Sequence, residues 1–263
     1  MKKHPLRSLW ALFRALRAVA RFVHALGHSI RGWWIIRMRF SRYSQPVRNK
    51  MVQAWAERML NIMGIRLEVQ GTPPNQGPAL VVANHTSWLD IVTLHAARHV
   101  RFISKAGVRH WPLISTLSDG AGTLYIERER RKDALRMMHH MADALRAGDL
   151  IAVFPEGAIG DNVTLQPFHA NLLQAAIAAG APVQPVALRF ADAASGQTSF
   201  APSYFKASLL RSFWRTLCAP PLVAHVNFGT PQSSEGRTRG LWANELHAQV
   251  QALRQQTHRG ADK

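Results

Sequence analysis

The chain contains a single cysteine, Cys218, among its 263 residues. One thiol cannot form a disulfide bond within the chain, so covalent cross-links are excluded as a source of stability. Proteins without disulfides are typical of reducing compartments. The fold must therefore depend on its core, and 47% apolar residues in a chain of this length are enough for one substantial core.

Acidic residues are also scarce. Fifteen Asp and Glu stand against 33 Lys and Arg, which gives a formal net charge of +18. The first carboxylate in the chain is Glu57, whereas residues 1–50 contain twelve Lys and Arg. An imbalance of this size indicates an anionic partner, and the candidates are nucleic acid, membrane headgroups and an acidic carrier protein.

The basic N-terminal segment lacks the roughly 20 consecutive uncharged residues of a membrane-spanning helix. On a helical projection its cationic residues fall within an arc of about 100°, and apolar residues occupy the opposite side. This pattern predicts a helix that lies in the membrane interface, with its basic face toward headgroups and its apolar face toward acyl chains. The alternative is that the apolar stripe packs on the chain's own core. The two faces comprise Arg7, Arg14, Arg17, Arg21, His24 and His28, and Leu9, Leu12, Phe13, Leu16, Val19, Ala20, Val23 and Leu26.

Beyond the basic segment, short apolar strands alternate with helical patterns. This alternation predicts an α/β fold with a mostly parallel sheet flanked by helices. We expect residues 1–50 to form a membrane-associating helical segment and residues 51–263 to form one domain. The predicted strands are 65–69, 79–83, 100–104, 123–126, 150–154 and 183–190, and the predicted helices are 52–62, one from Trp88, 131–147 and 170–179.

An imidazole and a carboxylate, His85 and Asp90, lie five residues apart where the strand 79–83 leads into a helix. If Asp90 accepts a hydrogen bond from Nδ1 of His85, it fixes the tautomer and leaves Nε2 able to take a proton from a hydroxyl. Ser87 with Asp90 also has the spacing of a capping box. On local pattern alone, Asp90 as a base-orienting residue and Asp90 as a helix cap both remain open.

Further charged residues follow other strand ends. Lys105 comes directly after one predicted strand and Arg128 two residues after another, where ligands of open α/β sheets bind, so an anionic substrate is indicated. The alternative for the run after Arg128 is a solvated surface paired with Glu129 and Asp133. Glu156 and Gly157 follow the strand 150–154, where a carboxylate can bind substrate hydroxyls and a glycine permits close backbone approach.

Together these residues resemble the glycerolipid acyltransferases typified by 1-acylglycerol-3-phosphate acyltransferase. The resemblance covers roughly residues 65–190 and consists of four boxes in the family's order: His85 to Asp90, Gly122 to Arg128, Phe154 to Gly157, and Val183 to Val186. It implies acyl transfer from acyl-CoA or acyl carrier protein to a lysolipid, with no metal and no other cofactor. His85 would be the base, Asp90 its orienting residue, and Lys105, Arg128, Glu156 and Gly157 would bind substrate.

The chain departs from the family near the acceptor region. Ala158 follows Glu156-Gly157 where Thr or Ser is usual, Glu127 precedes the arginine, and Pro167 to His169 replaces a Phe-Lys pair. We expect 1-acyl-sn-glycerol-3-phosphate as the acceptor and phosphatidic acid as the product, with a lyso-ornithine lipid or another lysolipid as the alternative. The expected location is the cytoplasmic face of the bacterial inner membrane, with monotopic or peripheral attachment.

Other functional classes lack their motifs. The segment 27–31 misses the second glycine of a serine hydrolase elbow, and the segment 120–122 misses the third glycine of a dinucleotide site. His95 and His99 are four residues apart without a third ligand, so we expect two surface histidines rather than a zinc site. A non-enzymatic basic protein that binds membranes or nucleic acid is the alternative from a different class. It would leave His85 and Glu156 without a role.

Overall fold

The computed structural model describes residues 5–126, 131–203, 205 and 208–259, with the side chains of residues 12–104, 106–125, 133 and 135–256 inside those ranges. A long helix, α1 (Pro5–Arg39), is followed by a short 3-10 helix (Phe40–Arg42) and by α2 (Gln45–Met63). Pro46 lies in the first turn of α2, where its missing N–H costs nothing, and Gly64 ends the helix in the left-handed region at φ 77°. Position 50, the predicted segment boundary, falls inside α2.

The described residues form one sheet of seven strands in the order β1-β7-β6-β2-β5-β3-β4. Neighbouring strands pair in parallel except β6 with β7, so the predicted α/β class with a mostly parallel sheet is confirmed. All five residues of the central strand β2 are buried. The strands are β1 (Ile65–Gln70), β2 (Ala79–Ala83), β3 (Arg101–Lys105), β4 (Leu124–Ile126), β5 (Leu150–Val153), β6 (Val183–Asp192) and β7 (Leu222–Phe228).

Helices cover both faces of this sheet. On one face of the sheet, a core cluster joins β2 and β5 to α5, α6 and α8. On the opposite face, a second cluster joins the sheet to α1, α2 and α7. The helices after α2 are α3 (Leu89–Ala97), α4 (Pro112–Gly120), α5 (Arg131–Arg146), α6 (Gln174–Ala179), α7 (Leu209–Cys218) and α8 (Arg239–Arg259). Of the α-helices and strands, α4, α7, β7 and α8 were not predicted from the sequence.

The cationic side of α1 contacts the body of the protein. Arg17 donates through Nη2 to the Ala219 carbonyl at 3.0 Å, and Arg21 donates through Nη1 to the Leu217 carbonyl at 2.9 Å. These carbonyls belong to the C-terminal end of α7, which a cation stabilises because the last carbonyls lack helical partners and carry partial negative charge. His28 stacks on Trp55 of α2 with ring centroids 5.3 Å apart. Burial lowers the pKa of Arg21.

The opposite side of α1 exposes a row of large apolar residues, here called the α1 stripe: Leu12, Phe13, Leu16, Val19, Phe22, Val23, Leu26, Ile30, Trp34 and Met38. Leu16 is 61% exposed. The alternative, in which this stripe packs on the chain's own core, is therefore wrong. The predicted headgroup contact is also wrong for Arg17, Arg21 and His28, because the carbonyls of α7 and α2 accept their hydrogen bonds. Among the described residues, no helix is long and apolar enough to cross a membrane.

Candidate active site

The strands β2, β3, β4 and β5 run in the same direction, so their carboxyl ends share one edge of the sheet. His85 follows β2 and Glu156 follows β5. The backbone N–H of His85 donates to Oε1 of Glu156 at 2.7 Å, across 71 residues of sequence. The sheet therefore brings two of the predicted boxes into direct contact at this edge.

His85 and Asp90 form the predicted pair. Nδ1 of His85 lies 2.9 Å from Oδ2 of Asp90, and the histidine side chain is 17% exposed whereas the carboxylate is fully buried. Because a carboxylate only accepts hydrogen bonds, the neutral tautomer of His85 that fits this contact has its proton on Nδ1 and its lone pair on Nε2. The arrangement holds a basic nitrogen in a fixed orientation at the protein surface.

Asp90 is also bound by the loop that carries His85. Its Oδ2 accepts the backbone N–H groups of Thr86 at 2.6 Å and Ser87 at 2.8 Å, and its Oδ1 accepts the Thr86 hydroxyl at 3.0 Å. The helix α3 has Trp88 at its N-cap position without a side-chain cap hydrogen bond, so the predicted capping box with Ser87 at the N-cap is not formed. The Asp90 carboxylate instead ties the loop together and contacts the imidazole.

Phe154 fixes the plane of the His85 ring. The two rings stack at a centroid distance of 3.9 Å and an interplanar angle of 7°. Phe102 supports Phe154 from β3, with centroids 5.7 Å apart. No role of its own was predicted for Phe154, which belongs to the motif Phe154 to Gly157. Its position at a strand end, directly before Pro155 and Glu156, was the feature of the sequence that indicated a place in the site.

Glu156 is buried, and both of its carboxylate oxygens accept backbone hydrogen bonds. Oε1 binds the N–H of His85, and Oε2 binds the N–H of Gln166 at 2.8 Å. Burial raises the pKa of Glu156, and the two N–H donors act in the opposite direction. The carboxylate therefore holds the His85 loop against the loop after β5, a role not foreseen from the sequence. Its contact with substrate hydroxyls stays a prediction.

Gly157 has a positive φ of 73°, which L side chains rarely adopt. A Cβ at this position would lie 2.9 Å from the His169 ring, so a side chain is excluded. The Gly157 N–H donates to the Phe154 carbonyl at 3.1 Å, and the Gly160 N–H donates to the His85 carbonyl at 3.0 Å. These two N–H groups are used by hydrogen bonds within the loops, and the binding of substrate by Gly157 stays a prediction.

The structure describes little of Lys105 and Arg128, the two cations predicted to bind an anionic substrate. Lys105 ends β3 and pairs with Ile126 of β4, but its side chain is not among those described. Arg128 lies outside the described residues. Beside these strand ends is a cavity of about 500 Å³ whose lining includes Arg109, Tyr125 and Arg136. Arg109 and Arg136 were not predicted as site residues, because neither comes directly after a strand.

His95 and His99 are buried, so their predicted surface position is wrong. They are 6% and 7% exposed, and their rings stack with centroids 5.4 Å apart. Burial lowers the pKa of His95 to about 3 and that of His99 to about 4. Both rings are therefore neutral at physiological pH. Among the described residues, no group of three or more His, Cys, Asp or Glu is arranged to hold a metal ion.

We expect this pair to make the protein sensitive to acid. A histidine protonates near pH 6.5 in the unfolded chain and resists protonation when buried, so the free energy of unfolding decreases as pH falls from about 6.5 toward 4. His95→Leu conserves volume and should reduce this loss by roughly 2 kcal/mol at pH 5. Denaturant unfolding at pH 8 and pH 5 measures the change in the free energy of unfolding between these pH values. The control is His139→Leu, because His139 is exposed. Equal pH dependence in both variants would contradict the assignment.

Comparisons with known proteins identify the family of this chain. The acyltransferase family profile matches residues 65–189. A 1-acyl-sn-glycerol-3-phosphate acyltransferase of Neisseria gonorrhoeae is 37% identical over 78% of this chain and 81% of its own. A lyso-ornithine lipid O-acyltransferase of Pseudomonas aeruginosa is 33% identical over 86% of this chain and 87% of its own.

A solved structure shares the fold. The 1-acyl-sn-glycerophosphate (LPA) acyltransferase of Thermotoga maritima superposes with a TM-score of 0.68 over 92% of this chain and 95% of its own, at 16% sequence identity. At that identity the likeness shows the fold alone. The sequence relatives at 33–37% identity carry the assignment further. The chain belongs to the glycerolipid acyltransferase family.

Proposed function

We propose that this chain is a lysolipid O-acyltransferase that transfers an acyl chain from a thioester to the free hydroxyl of 1-acyl-sn-glycerol-3-phosphate. The observation that carries the proposal is the His85–Asp90 pair, with Nδ1 held at 2.9 Å from a buried carboxylate. A thioester is already activated, so the reaction needs a base for the hydroxyl and accurate positioning rather than a covalent nucleophile.

In the proposed reaction, Nε2 of His85 takes the hydroxyl proton as the oxygen attacks the thioester carbonyl. The resulting tetrahedral intermediate collapses, the C–S bond breaks, and the leaving thiolate takes the proton back from the imidazolium. Asp90 stabilises the imidazolium through Nδ1, and its three bonds to Thr86 and Ser87 hold it in place. The products are the acylated lipid and a free thiol.

The acceptor has two candidates. Phosphatidic acid synthesis is supported by the name of the Neisseria relative, and lyso-ornithine lipid acylation by the name of the Pseudomonas relative. Ala158 and the segment 167–169, where the chain departs from the usual family residues, lie in the loop that Glu156 holds to the catalytic loop. Because these unusual residues lie beside the catalytic loop, we propose that they alter which lysolipid the enzyme accepts.

The donor is proposed to be acyl-CoA or acyl carrier protein. The +18 net charge suits both, because coenzyme A carries phosphates and acyl carrier proteins are acidic. The α1 stripe supports attachment to a membrane surface, since large apolar side chains are exposed along about seven turns of helix from Leu12 to Met38. We place the enzyme on the cytoplasmic face of the bacterial inner membrane.

Acylation by the purified full-length chain distinguishes the acceptors. The assay offers lysophosphatidic acid and lyso-ornithine lipid separately, each with acyl-CoA and with acyl carrier protein, and follows thiol release together with lipid mass. Preferential formation of phosphatidic acid supports the first candidate, and preferential formation of ornithine lipid replaces it with the second. Absence of thiol release with every pair would contradict acyl transfer to these lipids.

A further inference from the structure

The helix α7 exposes large apolar residues at the protein surface. Its buried face carries Ser212, Thr216 and Leu217, whereas Leu210 is 76% exposed and Trp214 is 45% exposed. Phe205 precedes the helix and is also exposed. We call Phe205, Leu209, Leu210 and Trp214 the α7 outer face. A surface helix in water normally turns such residues inward, so this face is built for an apolar environment.

The α7 outer face is part of the same unit as the α1 stripe. Phe22 of the stripe meets Phe213 of α7 edge to face, with centroids 6.3 Å apart. Arg17 and Arg21 hold the carbonyls at the C-terminal end of α7. The two helices therefore present their apolar residues as neighbouring parts of one surface.

The charges around α7 favour a lipid bilayer as the occupant. No acidic residue occurs in the sequence between Asp192 and Glu235, whereas α7 itself contains Arg211 and Arg215. A second copy of a chain with net charge +18 would bring like charges together at this face, which opposes association. Anionic headgroups attract the same cations, and an aromatic residue such as Trp214 is favoured at the boundary between headgroups and acyl chains.

The buried face of α7 reaches the catalytic loop. Ser212 and Ser87 both donate their hydroxyls to the Pro202 carbonyl at 2.6 Å, and Nε1 of Trp88 donates to Oγ of Ser212 at 3.1 Å. Trp88 also packs against Phe213, with centroids 5.5 Å apart. Ser87 lies two residues after His85. The position of α7 relative to a membrane therefore sets the position of the proposed base.

We infer that the α7 outer face is a second membrane-contact element, adjacent to the α1 stripe, which inserts into an anionic bilayer and places the His85 loop at the interface. The inference rests on the proposed function, because a lysolipid acceptor is held in that interface. It requires that α7 enters the lipid while the far side of the protein remains in water.

The depth at which a dye attached to one introduced cysteine enters the bilayer measures the contact directly. Single labelling is possible because Cys218 is the only native thiol. In a full-length Cys218→Ala background, Leu210→Cys carries an environment-sensitive dye, Leu16→Cys reports on α1, and Leu241→Cys on α8 is the matched control at 61% exposure. With vesicles of equal parts phosphatidylcholine and phosphatidylglycerol, dyes at 210 and 16 should shift to shorter wavelength and be quenched by doxyl-labelled lipid. The dye at 241 should be unaffected.

The outcomes separate this inference from the proposed function. A shift at 16 without a shift at 210 would overturn the α7 contact and leave the N-terminal attachment intact. Shifts at neither position would overturn both. Acylation of a short-chain, water-soluble lysolipid by the same proteins tests acyl transfer independently of either contact.

A second variant gives a kinetic result. Leu210→Glu should raise the KM for a vesicle-borne acceptor by about tenfold or more. The variant loses the binding free energy of inserting the leucine side chain into lipid, and its negative charge is repelled by anionic headgroups. Turnover of the soluble acceptor should be unchanged, as should both activities of Leu241→Glu. Equal KM values for Leu210→Glu and Leu241→Glu on vesicles would contradict the inference.

Discussion

Replacing His85 by alanine should lower kcat by about 10³-fold, within the range of 10²–10⁴ that a general base contributes. The KM for the acceptor should change little, because the imidazole acts on the hydroxyl proton rather than on the lipid headgroup. Asp90 keeps its hydrogen bonds from Thr86 and Ser87 in this variant, so the buried carboxylate is not left without partners. The folded state should therefore survive the substitution.

Steady-state kinetics with thiol detection measures this effect, and thermal unfolding checks that the variant is folded. His139→Ala is the matched control, because His139 is an exposed histidine on α5. A His85→Ala protein that unfolds at the wild-type temperature and acylates at the wild-type rate would disprove the base assignment. A large loss of stability would instead assign His85 a structural role through its stacking on Phe154.

Replacing Glu156 by glutamine should lower kcat by about 10²-fold, which is the effect expected when a reacting group is misplaced by about 1 Å. The amide of glutamine accepts hydrogen bonds at only one of its two ends. Its other end would face the N–H of either His85 or Gln166 as a second donor, so one bond is lost at a cost of about 1–3 kcal/mol. The catalytic loop would then lose its tether to the loop after β5.

The kinetics of this variant also separate two roles of Glu156. If the carboxylate acts through the position of His85, kcat falls and the KM for the acceptor is nearly unchanged. If it binds substrate hydroxyls, as the sequence resemblance implies, that KM rises. Glu57→Gln, at an exposed position of α2, is the control for the change of charge. Unaltered kcat and unfolding free energy in Glu156→Gln would contradict the tethering role.

The sequence predicted the parts of the fold and site whose causes are local. Strands such as β2 and β5 are short apolar runs bounded by turns, so their periodicity is visible. His85 and Asp90 lie in one loop, and their geometry follows from a spacing of five residues. α8 also carried a readable signal, since Trp242, Leu246 and Val250 recur every four residues and are fully buried.

Other features depend on contacts between distant residues. The tether from Glu156 to His85 joins two strand ends 71 residues apart, and no local pattern predicts it. A helical projection of α1 shows two faces but does not show which face meets the protein. The carbonyls of Leu217 and Ala219 decide this, and they come from a helix that was itself not predicted. Buried His95 and His99 were misassigned because the contacts of His95 with Phe102 and of His99 with the Ala121 carbonyl are tertiary.

The hydrogen bonds from Arg17 and Arg21 to α7 have a practical consequence for anyone who shortens the chain to make it easier to purify. Removing α1 would delete the exposed apolar stripe, but it would also uncover the Leu217 and Ala219 carbonyls and the ring of Phe213. The remaining protein would lose the support of the helix that carries Ser212 and, through Pro202, of the loop beside His85. Substituting outward residues of α1 by polar ones is therefore the better route to an active, detergent-free enzyme.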